Sequence, residues 1–299
     1  NKLWNANNFL TANKCKFKHV KKIPKLTTNI NKWIYAELLE TIQKIEKNLK
    51  DYRFDEAAKN AYQFSWHSYC DWYLELSKTI LFSDNKKAKK EVREVSSYIF
   101  KQILKLMHPF IPFLTEEIWL KNKFDNSKKD FLMLANWPSG KFKKDQDHKE
   151  VEKMINIISK IRSFKNELGV SPGSYVDIAT SKISKKNQLF LSNNDIVLKK
   201  LGRINNFYSK DISKPSAALV ISGDLFKIYF DENVDLNLIK DNLNKRQNKY
   251  KEEMKKISQR LLNKSFVDRA PKNIVDQEKT NYNDLKNDIE KISVTMESL

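Results

Sequence analysis

The sequence predicts a mainly α protein in three parts. They are an antiparallel helical bundle over residues 1–140, a small α+β subdomain over 141–232 and a C-terminal antiparallel coiled-coil hairpin over 233–299. Three observations predict this. Residues 1–139 contain no glycine, and their apolar residues recur at helical spacing. Strand signals, with Gly169, Gly173, Gly202 and Gly223, fall in the middle. From Val234 onward there is no glycine and one proline, Pro271, and the apolar residues return every three or four positions.

In the bundle, Leu38, Ile42, Ile45 and Leu49 mark a helix from about Ile30 to Lys50. Asp51 and Asp55 are expected to cap a second, from about Phe54 to Phe82. A Ser83-Asp84-Asn85 turn leads to a third, carrying Val92, Val95, Ile99, Ile103, Leu106 and Met107, which Pro109 ends. Pro112 suits the first turn of a fourth, with Glu116 and Glu117 expected near its positive end. A connector over 130–147 leads to a helix from about His148 to Leu168. Tyr175–Ala179 alternates as a strand does, and 217–221 and 225–230 read as two strands joined at Gly223-Asp224.

The final limbs carry a seam. Leu236, Leu243, Tyr250 and Ile257 repeat every seven residues, supported by Ile239, Met254 and Leu261. On the second limb Val275, Glu278, Tyr282, Leu285, Ile289, Ile292, Met296 and Leu299 alternate spacings of three and four, with only Glu278 polar. A linker around Asn263–Pro271 permits only an antiparallel hairpin, about 40 Å long at 1.5 Å per residue.

Composition excludes several functions. Cys15 and Cys70 supply neither a disulfide framework nor a zinc ribbon, and they suit a reducing cytoplasm. No glycine-rich phosphate loop exists, and no apolar run nears the ~18–20 residues of a membrane span. The first residue is Asn1, so a missing front is expected. Asp71 and Glu75 share a helix face near Lys78; surface pairing is favoured over paired-carboxylate catalysis, given flanking Trp66, Trp72 and Tyr73. His19, His67, His108 and His148 are scattered, with no Ser-His or Cys-His pairing, and the segment does not read as a catalyst.

Nucleic-acid binding is better supported. The net charge is +19, although lysine and asparagine richness also arises from A+T-rich coding. The first limb is basic and the second acidic, so the limbs attract each other. On a helical wheel Lys245, Lys249, Lys256 and Arg260 fall within about 60°, while the apolar residues lie at about 120–180° from Lys245. A basic stripe is thus expected apart from the seam, the competing reading being a merely solvated face. The segment carrying Lys14, Lys16, Phe17, Lys18, Lys21 and Lys22 interleaves cations with an aromatic, as single-stranded RNA contacts do, or forms a solvated linker.

Several stretches together resemble one family. Asn1-Lys-Leu-Trp-Asn-Ala6, Tyr62-Gln-Phe-Ser-Trp66 through Cys70-Asp71-Trp72-Tyr73-Leu74-Glu75, and His108-Pro109-Phe-Ile-Pro112-Phe-Leu-Thr115-Glu116-Glu117-Ile-Trp119 resemble the anticodon-binding helical domain of class I aminoacyl-tRNA synthetases. Leu261-Leu-Asn263-Lys-Ser-Phe266-Val267-Asp-Arg269-Ala270-Pro271-Lys-Asn-Ile-Val275 is similar to the coiled-coil arm turn of the valyl branch, departing at Arg260 and Lys264-Ser265.

The resemblance implies the C-terminal part of a valine-attaching ligase that binds valine tRNA. ATP and magnesium would serve the whole enzyme, with no cofactor or metal in this segment. Catalytic and editing domains would lie upstream of Asn1. It further implies a cytoplasmic monomer with no membrane role, a bundle that meets the anticodon, and an arm that reaches the tRNA's outer corner. Phe266 and Val267 either stack on loop bases or, as favoured, close the helix ends. A detached RNA-binding module and a coiled-coil adaptor are the alternatives. The family's His-x-Gly-His and Lys-Met-Ser-Lys-Ser elements have no counterpart here.

Overall fold

The computed structural model describes residues 1–17, 22–124, 131–140, 146–230, 234–263, 265–266 and 270–299. The chain divides into two compact units, Asn1–Asn156 and Ile157–Leu299. Among the described residues no helix is long and apolar enough to cross a membrane. The architecture is mainly α with one small mixed sheet.

The first unit opens with α1 (Lys2–Ala12), which precedes the first helix the sequence marks. Its end is closed by two hydrogen bonds, Cys15 N–H to the Leu10 carbonyl and Lys14 N–H to the Thr11 carbonyl, both 3.0 Å. That closure requires a left-handed residue, and Lys14 supplies it at φ 61°. Helix α2 (Asn29–Lys50) follows as expected.

The expected helix over 54–82 is continuous but not uniformly wound. It runs as α3 (Phe54–Gln63), a π-helical segment (Phe64–Tyr73) and α4 (Leu74–Leu81). The wider π turn accompanies the burial of Phe64, Tyr69, Trp72 and Tyr73, with Tyr69 stacked on Tyr73 at 5.5 Å and on Phe100 at 6.1 Å. The cap expectation is corrected: Arg53 is the N-cap, Asp51 ends α2, and Asp55 sits in the first turn, where the helix dipole favours it.

Helix α5 (Lys86–Met107) is capped by Asn85, whose side chain accepts from Ala88 N–H at 3.0 Å. Helix α6 (Pro112–Asn122) starts on Pro112, but Glu116 and Glu117 lie beyond its first turn. Glu116 instead accepts the Leu132 N–H at 3.1 and 3.2 Å. The core is built by Ile34, Leu38 and Ile42 of α2 against Val95, Ile99 and Ile103 of α5. Inside it, Tyr73 donates to Asn31 at 2.8 Å, and Asn31 donates to Glu91 at 2.9 Å. Glu91 also accepts the N–H groups of Thr27 and Thr28 at 2.9 Å, so an α5 carboxylate caps α2.

Helix α7 (Gln146–Glu167) crosses the boundary between the units. In the second unit its Ile157, Ile158 and Ile161 are buried. Strand β1 (Val176–Lys182) pairs in parallel with β2 (Ile204–Tyr208) and antiparallel with β4 (Asp224–Phe230), and β4 pairs with β3 (Ser216–Ile221). Helices α8 (Lys185–Asn193) and α9 (Asp195–Gly202) make the crossover between β1 and β2. The β3–β4 loop is Ser222-Gly223, one position earlier than expected. Both residues have positive φ, 50° and 87°, as a tight hairpin demands.

The hairpin arm pairs α10 (Leu236–Leu262) with α11 (Lys272–Ser298). Asp235 caps α10, accepting from the amides of Asn237 and Leu238 at 2.9 and 3.2 Å. Ile239, Leu243 and Ile292 are buried, while Tyr250, Met254, Ile257 and Leu261 are half-buried, as a two-helix seam allows.

Candidate nucleic-acid interface

On α10 the side chains of Lys245, Lys249 and Lys256 are exposed, on a face apart from the apolar seam. An exposed lysine row on a helix is a run of point charges that can displace counterions from a phosphate backbone. Arg260 is exposed as well, but its guanidinium donates to Glu278 of α11 at 3.0 Å. It therefore differs from its three neighbours, because any phosphate must compete with that carboxylate.

The seam holds one residue the heptad reading passed over. Gln247 is buried between Leu243 and Tyr250, and its amide donates to Ser293 of α11 at 2.8 Å. Its spacing of four and three from those neighbours was the available signal. At the hairpin end, the Phe266 N–H donates to the Asn263 carbonyl at 3.0 Å, and its carbonyl accepts from Ala270 at 2.9 Å. Its backbone thus closes the turn while its ring is half-buried. Val267 lies outside the described residues.

In the first unit, the basic segment after α1 is only partly as expected. Lys14, Lys16 and Lys22 are exposed, whereas Lys18 and Lys21 lie outside the described residues. Phe17 is a correction: it is buried, edge-on to Phe124 at 4.9 Å and tilted against Phe100 at 6.3 Å. Its ring belongs to the core and is not presented for base stacking.

The three described lysines line a cavity of ≈ 560 Å³ together with Lys90, Arg93 and Glu94 of α5. Five cations there face one carboxylate. Arg93 is held by its Nε–H donating to the Asn13 carbonyl at 2.9 Å, and Lys90 lies 3.9 Å from Glu94. Sequence reading missed Lys90 and Arg93; the lysine run at the start of α5 was the signal.

The candidate catalytic groups have structural partners. Asp71 meets Lys2 at 2.5 Å and Glu75 meets Lys78 at 2.5 Å, so these carboxylates act as surface ion pairs. His108 Nδ1 lies 2.8 Å from the Thr115 hydroxyl, and its Nε2 is 3.9 Å from Glu116. The buried His148 sits between Glu37 and Glu152, its Nε2 at 3.4 and 3.2 Å from their oxygens. Among the described residues these three bring one potential ligand atom each to within 4.8 Å of one another. Burial raises the Glu37 carboxyl, against Ser68 and His148, which lower it. Burial also pushes the Cys15 and Cys70 thiols up to about 12, so neither is a thiolate nucleophile at neutral pH.

A family model described as the anticodon-binding domain of tRNA ligase matches residues 31–180. A second, the valyl tRNA synthetase tRNA-binding arm, matches residues 235–299. The valine–tRNA ligase of Pelagibacter ubique (strain HTCC1062) is 72% identical over 299 residues, covering 100% of this chain and 34% of the relative. That of Bartonella quintana is 32% identical over 300 residues, covering 100% and 33%. That of Brucella suis is 30% identical over 294 residues, covering 98% and 32%. The chain spans about a third of the length of the curated relatives it matches.

Proposed function

We propose that this chain, which belongs to the tRNA-ligase anticodon-binding family and corresponds to the anticodon-binding and tRNA-arm region of valine–tRNA ligases, grips valine tRNA for a ligase that attaches valine to it with ATP. The bundle unit meets the anticodon end and the α10–α11 arm meets the tRNA body. The observation that carries the reading is the division of faces on α10. Lys245, Lys249 and Lys256 stand in solvent while Leu243 and Gln247 hold the second limb.

Holding one RNA on two surfaces makes the second contact intramolecular, which raises affinity and rejects ligands that satisfy only one surface. Remote binding energy of this kind positions a reacting end held elsewhere. ATP and magnesium belong to the whole enzyme in this reading. This chain's residues do not fit the family's ATP elements: no histidine is followed two positions later by glycine, and no methionine precedes serine. No step of that chemistry is therefore assigned to residues here. The whole enzyme is read as a cytoplasmic monomer.

The test is binding of valine tRNA transcript across a salt series. Affinity should fall at least tenfold between low and physiological salt, as lysine–phosphate contacts require. Absence of tRNA binding at low salt, or self-association of the arm without RNA affinity, would overturn the reading in favour of an adaptor.

A further inference from the structure

Three side chains from two helices converge at the start of α7. Glu37 comes from α2, while His148 and Glu152 lie one turn apart on α7. The beginning of α7 lies against α2, where the Asn29 side chain donates to Glu150 at 3.2 Å and Val151 is buried. In that setting His148 is 1% exposed, and both carboxylates crowd a single atom of it, Nε2, at 3.4 and 3.2 Å.

Nε2 carries at most one hydrogen, and one N–H serves one carboxylate oxygen well. A metal ion serves both. Bonds of about 2.0–2.2 Å at a tetrahedral angle place ligand atoms about 3.3–3.5 Å apart, close to the spacing of Nε2 from the two oxygens. The oxygens lie within 4.8 Å of each other, a gap that rotation of the exposed Glu152 side chain closes.

The surroundings suit a ligand set. Glu37 turns Oε1 to His148 while its Oε2 accepts from the Ser68 hydroxyl at 3.1 Å, so a neighbour in the π-helical segment orients the carboxylate. Glu152 is 45% exposed on its side chain, which leaves an entry path from solvent. Burial most of all, with the charges of Glu40 and Glu152, raises the Glu37 carboxyl, while Ser68 and His148 lower it. A bound cation offsets the crowding of negative charge.

We propose that Glu37, His148 and Glu152 form a site for a first-row divalent cation of the zinc type, each side chain giving one ligand atom and water the fourth. The imidazole nitrogen selects zinc or cobalt over magnesium and calcium, which take oxygen ligands. The ion ties the start of α7 to α2, a clip on the helix that runs from the first unit into the second. The family resemblance implies no metal in this segment, so the site is an addition to that reading, and tRNA gripping does not depend on it.

The experiment titrates the EDTA-stripped 299-residue chain with Zn²⁺ by calorimetry and with Co²⁺ by visible absorption, alongside thermal melting. One ion per chain should bind, and cobalt should show the intense visible bands of four-coordinate geometry. Zinc at about 100 times its dissociation constant should raise the melting temperature by roughly 5–10 °C. Magnesium at the same concentration should leave melting unchanged. E152Q keeps the shape of the side chain and should weaken zinc roughly tenfold or more, and S68A, which removes only the group that positions Glu37, about tenfold. In EDTA, E152Q should melt no lower than the parent, because it removes one of two facing carboxylates. H67N alters an exposed His67–Asp71 pair of the same spacing, 3.8 Å apart, and should bind zinc as the parent does.

Absence of zinc binding to the parent, or equal zinc affinity in the parent and E152Q, would overturn the site. So would a six-coordinate cobalt spectrum, or loss of binding in H67N, which would make the ion an adventitious surface ligand. E152Q melting below the parent in EDTA, with zinc shifting neither protein, would make the group an ion-paired imidazolium instead.

Discussion

The Arg260 guanidinium donates to the Glu278 carboxylate across the hairpin at 3.0 Å, joining the one polar residue of the second-limb seam to the last cation of the basic stripe. Glu278 is mostly buried, with a side chain 17% exposed, while that of Arg260 is 58% exposed. Pairing explains how a carboxylate is tolerated in an apolar seam: its charge is met by the opposite limb.

The pair gives opposite expectations for its two members. R260Q leaves the mostly buried Glu278 carboxylate without its partner, so it should lower hairpin stability by more than the ~0.2–1 kcal/mol of an exposed pair, and reduce tRNA affinity less than loss of a stripe lysine. E278Q should release Arg260 to phosphate and raise tRNA affinity, by roughly two- to threefold at low salt. Salt titrations of both variants check this. Equal loss in R260Q and K249Q would mean that Arg260 meets RNA despite its partner.

Glu91 sets an acid limit for the bundle. Burial alone would raise its carboxyl, but hydrogen bonds from Asn31, Thr27 and the Thr28 and Thr27 amides prevail and hold it at about 2, against an ordinary 4.5. The folded value is the lower, so the unfolded chain takes up the proton first. This contribution is complete above pH 4.5 and disappears as pH falls toward 2, amounting to about 3 kcal/mol. Urea unfolding monitored through bundle tryptophans should show that loss in the parent and a much flatter profile in E91Q. Parallel profiles for the two proteins would remove Glu91 from the account.

Much of this was legible because period and punctuation act locally. Pro112, Asn85 and the Gly223 turn mark their own elements, and the exposed lysines of α10 follow from a wheel. The misses are tertiary. Phe17 looks like a stacking residue beside lysines, yet Phe100 and Phe124, distant in sequence, bury it. Lys90 and Arg93 join the basic segment only because α5 packs beside the end of α1. Strand β2, Ile204–Tyr208, escaped notice because only its first residue is fully buried, so no clean alternation marks it. The π-helical winding of 64–73 answers to aromatic packing across helices, which no single-helix propensity encodes.

The arm seam should respond unevenly to truncation. Leu243 is 3% exposed, so L243A should cost about 2–5 kcal/mol of arm stability. Ile257 is half-buried, and I257A should cost less than half as much. Chemical denaturation followed by circular dichroism compares them. Similar losses at both sites would mean that the seam is sealed along its whole length, contrary to the exposure seen.

The sharpest test of the arm changes Lys245, Lys249 and Lys256 to glutamine and leaves Arg260 in place. Lysine and glutamine have nearly equal helix propensity, and all three positions are exposed, so helix content and melting should stay within error. Three phosphate contacts are removed, so the slope of log affinity against log salt should flatten by about 2, and affinity near physiological salt should fall at least tenfold. In the whole ligase the same variant should raise the KM for tRNA and leave valine activation alone, because that half-reaction needs no tRNA grip. L243A would also weaken tRNA binding, but through an arm that melts earlier, and circular dichroism tells the two routes apart. A triple-glutamine protein that binds valine tRNA as tightly as the parent, on the same slope, would make the row a solvated face of a lysine-rich chain.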